Sequence, residues 1–437
     1  MIHAPRRTGL IFFPAYDWAI SPTHPEREER LLYTQDQVRE EGLLDVEGIL
    51  EYRVRPAAAT DIQRIHFCVP DEAAVTTESH LISVGGCLVA ADAVLRGEVE
   101  NAFALVRPPG HHAMRVVHGN RGFCNINNEA VMTEYIRETY GVQKIAVVDT
   151  DCHHGDGSQD VFWHDPDTLY ISVHQDGRTL YPGSGFPDEL GGPNAEGTIV
   201  NIPLPPRTGE EGFLYVLDEF IMPLLEKFQP ELIINSAGQD NHFNDPITHM
   251  NFSARGYARL TARLKPDIAV LEGGYAVENA LPYVNVGIIM AMAGLDTDCV
   301  KEPNYDRDYQ HQRSDITRYI EQQVVDLKGM FLRDEFEKNS YKPGEIVSRN
   351  REIYYDTDNI RERQQEQIRR CFDCPGALSI ESTSSTGNHI LAVHMPRNVC
   401  PSCRKQGEKW FEESCSGTFD FVYLQDRERR IYKRREP

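Results

Sequence analysis

A chain of 437 residues with 40% hydrophobic content is long enough for one large globular domain and a small appendage, which excludes a disordered polymer. Its 67 acidic and 45 basic residues leave a formal charge of −22, so the main body repels phosphate backbones and no direct nucleic-acid binding is expected. No apolar run approaches the roughly 20 residues that cross a membrane, and Gly9–Phe13, behind Arg6 and Arg7, is cut at Pro14, too early for a secretory core. Four of the ten cysteines form two Cys-x2-Cys pairs, which without a secretory leader reads as metal binding in a reducing, cytoplasmic setting.

In chain order, short β-branched runs recur at Ala102–Val106, Lys144–Asp149, Leu169–Val173, Thr198–Ile202, Leu232–Asn235 and Ile268–Leu271. Runs this short and this apolar read as buried parallel strands. Between them, Gly212–Phe228 spaces Phe213, Leu214, Leu217, Phe220, Ile221, Leu224 and Leu225 along one helical face. The alternation predicts a doubly wound, mainly parallel α/β sheet with helices on both faces over residues 1–300. In such sheets ligands bind at the C-terminal strand ends. Residues 301–365, charged with sparse apolar positions, read as a helical wrap and connector. Residues 366–437 read as a zinc-ribbon-like domain with alternating segments Ala377–Ser382 and His389–His394, a Ser/Thr-rich hairpin loop over Ser379–Asn388, and a basic run Arg427–Arg435.

The expected strand ends carry the chemistry. Asp149, Asp151 and His153 alternate onto one side of an extended segment, and a carboxylate and imidazole two residues apart are ready ligands for a first-row metal. Asp240, after another strand, offers a third ligand and leaves an open position, as a catalytic zinc site requires. His111 and His112 follow a rigid Pro-Pro-Gly turn and suit acid–base work, although such a pair taken alone is as often structural. After Ile268–Leu271 come Glu272, Gly273, Gly274 and Tyr275; the glycines admit close backbone approach, and the tyrosine hydroxyl could reach the site.

Arg-Pro-Pro-Gly-His-His (107–112), Gly-Phe-Cys (122–124), Asp-Thr-Asp-Cys-His-His-Gly-Asp-Gly (149–157), Ser-Ala-Gly-Gln-Asp (236–240) and Glu-Gly-Gly-Tyr (272–275) together resemble the histone deacetylase superfamily. That superfamily includes class II enzymes, bacterial acetylpolyamine amidohydrolases and acetoin-utilisation proteins. The likeness spans roughly residues 8–295 and includes a weaker match at His24-Pro25-Glu26-Arg27. The resemblance implies an arginase/deacetylase-like fold and a zinc-dependent deacylase. It casts Asp151, His153 and Asp240 as ligands of the catalytic zinc, and His112 as the main general base and acid with electrostatic support from His111. Asp149 and Asp156 orient those histidines, and Tyr275 stabilises the oxyanion. It further implies a potassium ion at Asp149 and Ser172 with Asp151 and His153, and channel walls at Phe123 and Tyr181, the latter departing from the family's usual phenylalanine. Gly122 and Gly273 belong to the same channel, Arg30 lies near an acetate-release path, Ile247 sits at the mouth, and Asp71 matches a rim aspartate.

Apolar Ile247 lacks the charge that polyamine-selective relatives place there, which favours acyl-lysine over acylpolyamine substrates. Cys371, Cys374, Cys400 and Cys403 predict a structural zinc, since so small a unit cannot fold on an apolar core alone. The sequence leaves three roles open for this unit: substrate capture, contact in a homo-oligomer, or docking of a protein partner. A dead acyl-amine-binding module and an arginase-like binuclear hydrolase are the competing readings. Intact Tyr275, paired histidines and three ligands weigh against the first, and missing bridging ligands against the second.

Overall fold

The structure, a computed structural model, describes residues 2–13, 19–21, 23–306, 311–333, 341–414 and 417–436. Eight strands build the main sheet: β1 (His3–Phe12), β2 (Glu47–Tyr52), β3 (Asn101–Leu105), β4 (Ile145–Asp149), β5 (Thr168–Gln175), β6 (Ile199–Leu204), β7 (Leu232–Ala237) and β8 (Ile268–Leu271). Their spatial order is β2-β1-β3-β8-β7-β4-β5-β6, every neighbouring pair parallel. The six expected runs are the inner and right-hand strands of this sheet. β1 and β2 extend the other edge and were not foreseen, because their exposed ends break the apolar pattern.

Both faces are covered, as parallel sheets require. One face packs Phe213, Phe220, Ile221, Leu224 and Leu225 from the region expected as a single helix. That region is two α-helices, Glu210–Val216 and Met222–Phe228, joined through a π-helical turn at Leu217–Ile221, next to Pro223, which has no N–H to give the ladder. Over the other face lies Glu78–Leu95, apolar and 18 residues long, yet 67% of it is buried inside the protein as a core helix.

The expected connector differs from the structure. A helix covers Ser314–Leu327, but from Ile346 the chain enters a second sheet; residues 307–310 and 334–340 lie outside the described residues. Six strands follow one another in space: β9 (Ile346–Tyr355), β10 (Ile360–Arg369), β11 (Leu378–Ser384), β12 (His389–Met395), β13 (Phe421–Asp426) and β14 (Ile431–Arg435). All pairs are antiparallel except β12–β13, which the helix Pro401–Glu413 connects as a parallel crossover. β10 hid from hydropathy because its inward positions are Glu362, Gln364 and Glu366 as well as Ile360 and Ile368. The expected alternating segment Ala377–Ser382 falls on strand β11, which also takes in Thr383 and Ser384 of the expected hairpin loop.

The second sheet is docked on the first domain. Ile368, Leu378, Ile380, Ile390, Ala392 and Tyr423 share one apolar core with Phe67, Val69 and Val116. Polar ties surround that core. Arg427 and Arg397 pair with buried Glu134 at 3.1 and 2.6 Å, Arg434 pairs with Asp71, and Asn194 bonds the backbone of Arg369, Cys371 and Pro375. The basic run 427–435 therefore meets acidic groups of its own chain.

Candidate active site

The C-terminal ends of β3, β4, β7 and β8 converge, and each contributes side chains. Register pairs Asp149 with Ser236 and with Ser172, and Leu271 with Ala237, so the segments leaving these strands emerge side by side. Asp151, His153 and Asp240 are buried, with one ligand atom of each lying within 4.8 Å of the others. His153 Nδ1 stands 2.8 Å from Asp240 and 3.2 Å from Asp151. The remaining carboxylate oxygens are fixed by backbone donors: Gly273 N–H to Asp151 at 2.7 Å and Cys152 N–H to Asp240 at 2.8 Å. Side chains are excluded beside these ligands, since a Cβ on Gly238 would fall 2.1 Å from Asp151, and one on Gly273 would fall 2.5 Å from Asp240. Two carboxylates and one imidazole, preplaced and crowded, fit a divalent first-row ion.

The two histidine rings lie with centroids 4.1 Å apart, tilted 49° to each other. His111 Nδ1 meets Asp149 at 3.1 Å and His112 Nδ1 meets Asp156 at 2.8 Å. Burial, and then the neighbouring His111, push His112 down to about 3, so its ring is neutral with Nδ1–H donated to Asp156 and Nε2 bearing the lone pair. For His111 burial acts the same way, but the carboxylates of Asp151 and Asp149 outweigh it and hold the ring well above the usual range. A neutral ring thus lies beside a charged one.

Tyr275 is buried, and burial holds its phenol protonated against the pull of Arg30, whose guanidinium lies 5.0 Å from the ring. Arg30 itself is fully buried, bonded to Glu26 at 2.9 Å and to the carbonyls of Gly274 and Glu272. It thus braces the tyrosine loop from behind. Gly122, at φ 52°, lies against His112, where a Cβ would meet the ring at 2.4 Å; Phe123 follows at φ 71° and stands edge-on to Tyr275 at 5.7 Å. Tyr181 stands edge-on to His112 at 5.2 Å. Ile247 is half-buried, its N–H bonded to Asp245.

The carboxylate of Asp71 caps Glu72–Val75 through the Ala74 N–H and pairs with Arg434 of the second sheet. Ser172, the register partner of Asp149, has its Oγ 2.8 Å from His174 Nδ1.

Several contributors escaped sequence reasoning. Glu272 accepts the N–H groups of Gly110 and His111, which fixes the His-His turn. Arg121 grips Asp156 behind His112. Asp245 accepts the Tyr275 N–H. Each acts through backbone or through a neighbour, and no local pattern marks such a residue; the acid in Glu-Gly-Gly-Tyr was the one signal on offer.

Residues 72–286 match the histone deacetylase domain family. A probable deacetylase of Archaeoglobus fulgidus is 45% identical over 328 residues, 68% of this chain and 90% of that protein. The chain belongs to the histone deacetylase family. A histone deacetylase-like amidohydrolase of Pseudomonas aeruginosa is 31% identical over 332 residues, covering 66% of this chain and 84% of the relative. The crystal structure of the HDA15 HD domain shares the fold with a TM-score of 0.65 at 26% identity, covering 75% of this chain and 96% of that domain. As a histone deacetylase family member the protein is a hydrolase of the deacetylase and amidohydrolase type. The family match ends at residue 286, so the six-stranded sheet lies beyond it.

That sheet holds the second cluster, Cys371, Cys374, Cys400 and Cys403, with sulfur atoms within 4.8 Å of one another. Backbone N–H groups of Asp373 and Cys403 point at Cys371 and Cys400 sulfurs, at 3.4 and 3.5 Å. A sulfur-directed bond with Cys403 pulls Cys374 down to about 5. Four thiols with N–H···S bonds fit a closed tetrahedral zinc site, consistent with a zinc ribbon.

Proposed function

We propose that the protein is a zinc-dependent amidohydrolase that removes acetyl, or another acyl, groups from lysine side chains. The observation that carries this reading is the convergence of Asp151, His153 and Asp240 on one buried point beside the His111–His112 pair and Tyr275. Zinc bound at these three ligands would polarise the amide carbonyl and lower the pKa of water from ~15.7 toward ~7. His112, neutral and anchored on Asp156, takes the water proton at Nε2 and returns one to the leaving amine. His111, held charged between Asp149 and Asp151, offsets the negative charge that develops. Tyr275 remains a phenol and donates to the oxyanion. Phe123 and Tyr181 wall an apolar slot suited to a linear aliphatic chain.

The absence of charge on Ile247 favours acyl-lysine over acylpolyamine, the second reading within the same chemistry. A potassium ion at Asp149, Ser172, Asp151 and His153, and a structural zinc at the four cysteines, complete the proposed metal complement. Turnover on a panel of acetyl-lysine peptides, longer acyl-lysines and acetylated polyamines tests the proposal; no hydrolysis of any of them would refute it.

A further inference from the structure

The turn between β9 and β10 lies on the active-site rim. Two of its carboxylates accept two backbone N–H groups of the loop that forms the channel wall: Asp358 from Asn120 at 2.7 Å and Asp356 from Gly122 at 3.0 Å. The spacing matches, two residues on each side, as in a short strand-like clamp. Asp356 Oδ1 also accepts the Tyr181 hydroxyl at 2.9 Å, so one oxygen ties the segment carrying Phe123 to the opposite aromatic wall. Between the clamped amides, Arg121 donates to the Tyr354 carbonyl, bonds Asp156 through Nε at 3.0 Å, and lies 5.6 Å from the Tyr181 ring. The fit is close. A Cβ on Gly119 would fall 2.6 Å from the Asp358 carboxylate, and one on Gly122 would strike both His112 and Tyr181.

We propose that Asp356, supplied by the second sheet, is a positioning residue for the deacylase site, setting the separation of the Phe123 and Tyr181 walls. The assignment rests on the hydrolase reading above. It also gives the Tyr181 hydroxyl its partner. Phe123 has a positive φ, a conformation costly for a residue with a side chain, and the turn that holds it is fixed by the Arg121–Cys124 backbone bonds together with the Asp356 and Asp358 acceptors on Gly122 and Asn120. Arg121, held at the turn by Tyr354, carries the same constraint to Asp156 and so to the orientation of His112.

The test uses the full-length, zinc-loaded chain. Asp356→Ala should lower kcat/KM roughly 10-fold, mainly through KM, because charge-assisted bonds of this kind are lost. Damage to folding alone would lower kcat and leave KM unchanged. Asp356→Asn, which keeps an acceptor oxygen, should recover most of the loss. Combined with Tyr181→Phe, Asp356→Ala should cost less than the product of the two single losses, since both remove the same bond. Amide exchange over residues 119–123 should quicken in Asp356→Ala whether or not any substrate is turned over, which separates this proposal from the hydrolase reading; that reading is tested by wild-type turnover. Unchanged exchange, a KM within twofold of wild type, or strictly multiplicative losses would each overturn the role of Asp356.

Discussion

Asp245 holds the Tyr275 backbone: its Oδ2 accepts the Tyr275 N–H at 2.9 Å, and its Oδ1 accepts that of Ile247 at 3.0 Å. One buried carboxylate thus links the segment that presents the phenol to the loop at the expected channel mouth. The phenol itself is left free of this scaffolding, so its contribution can be removed without moving the loop. Tyr275→Phe should bind substrate or product analogues nearly as wild type does, while turnover falls at least ~10²-fold, the usual cost of one oxyanion donor. Turnover within a few-fold of wild type would show that the hydroxyl plays no such part.

Metal content separates the two clusters. Purified full-length protein should carry about two zinc equivalents, one for each geometric set. Replacing Cys371 and Cys374 by serine should remove one equivalent and leave the Asp151, His153 and Asp240 site loaded. A single equivalent that survives this substitution would contradict the cysteine assignment.

Ile247 provides a selectivity test. A charged contact at the mouth is worth ~1–3 kcal/mol, or about 5- to 150-fold. Ile247→Glu should raise kcat/KM for acetylspermidine relative to an acetyl-lysine peptide. The formal charge of −22 could attract polyamines diffusely, but that attraction fades with salt, whereas a contact inside the channel persists. A wild-type preference for acetylated polyamines above tenfold at physiological ionic strength would exclude the lysine reading.

Glu26 lies fully buried between Arg30 and Arg107, at 2.9 and 3.0 Å. Burial opposes its ionisation, yet Arg107 and Arg30 win and hold its carboxyl below the ordinary value of 4.5. A group depressed in the folded state contributes stability above its unfolded value and loses it as pH falls through the folded one. Glu26→Gln leaves two buried guanidiniums without their counter-ion and should cost ~3–5 kcal/mol at neutral pH. Because protonation removes the same charge from wild type, the difference in denaturation midpoint should narrow as pH falls below 4.5. A gap constant down to pH 3 would rule out this role for Glu26.

The catalytic sheet was legible because its inner strands are uniformly apolar and end in chemistry-bearing turns. Asp151, His153, Asp240, His111, His112 and Tyr275 each sit next to such a strand, so local reading and resemblance found them all, and the structure brings them together. The second sheet was only half legible. β11 and β12 alternate as half-buried strands do, whereas β10 turns Glu362, Gln364 and Glu366 inward, where they meet partners such as Tyr355, Arg349 and Arg351. Buried polar pairs erase the hydropathy signal on which strand recognition depends. Asp71, expected at the rim, also serves as a helix cap and as a partner of Arg434, ties to a distant segment that its own neighbourhood gave no sign of.

The clamp at Gly122 joins residues 234 positions apart. During synthesis the wall loop emerges first, and at ~5–20 residues per second its acceptor follows roughly 10–50 s later. For the second half of that interval, once Asp240 has emerged, the metal ligands and both histidines are already translated while the substrate entrance has no fixed width. A nascent enzyme of this architecture acquires its chemistry before its selectivity.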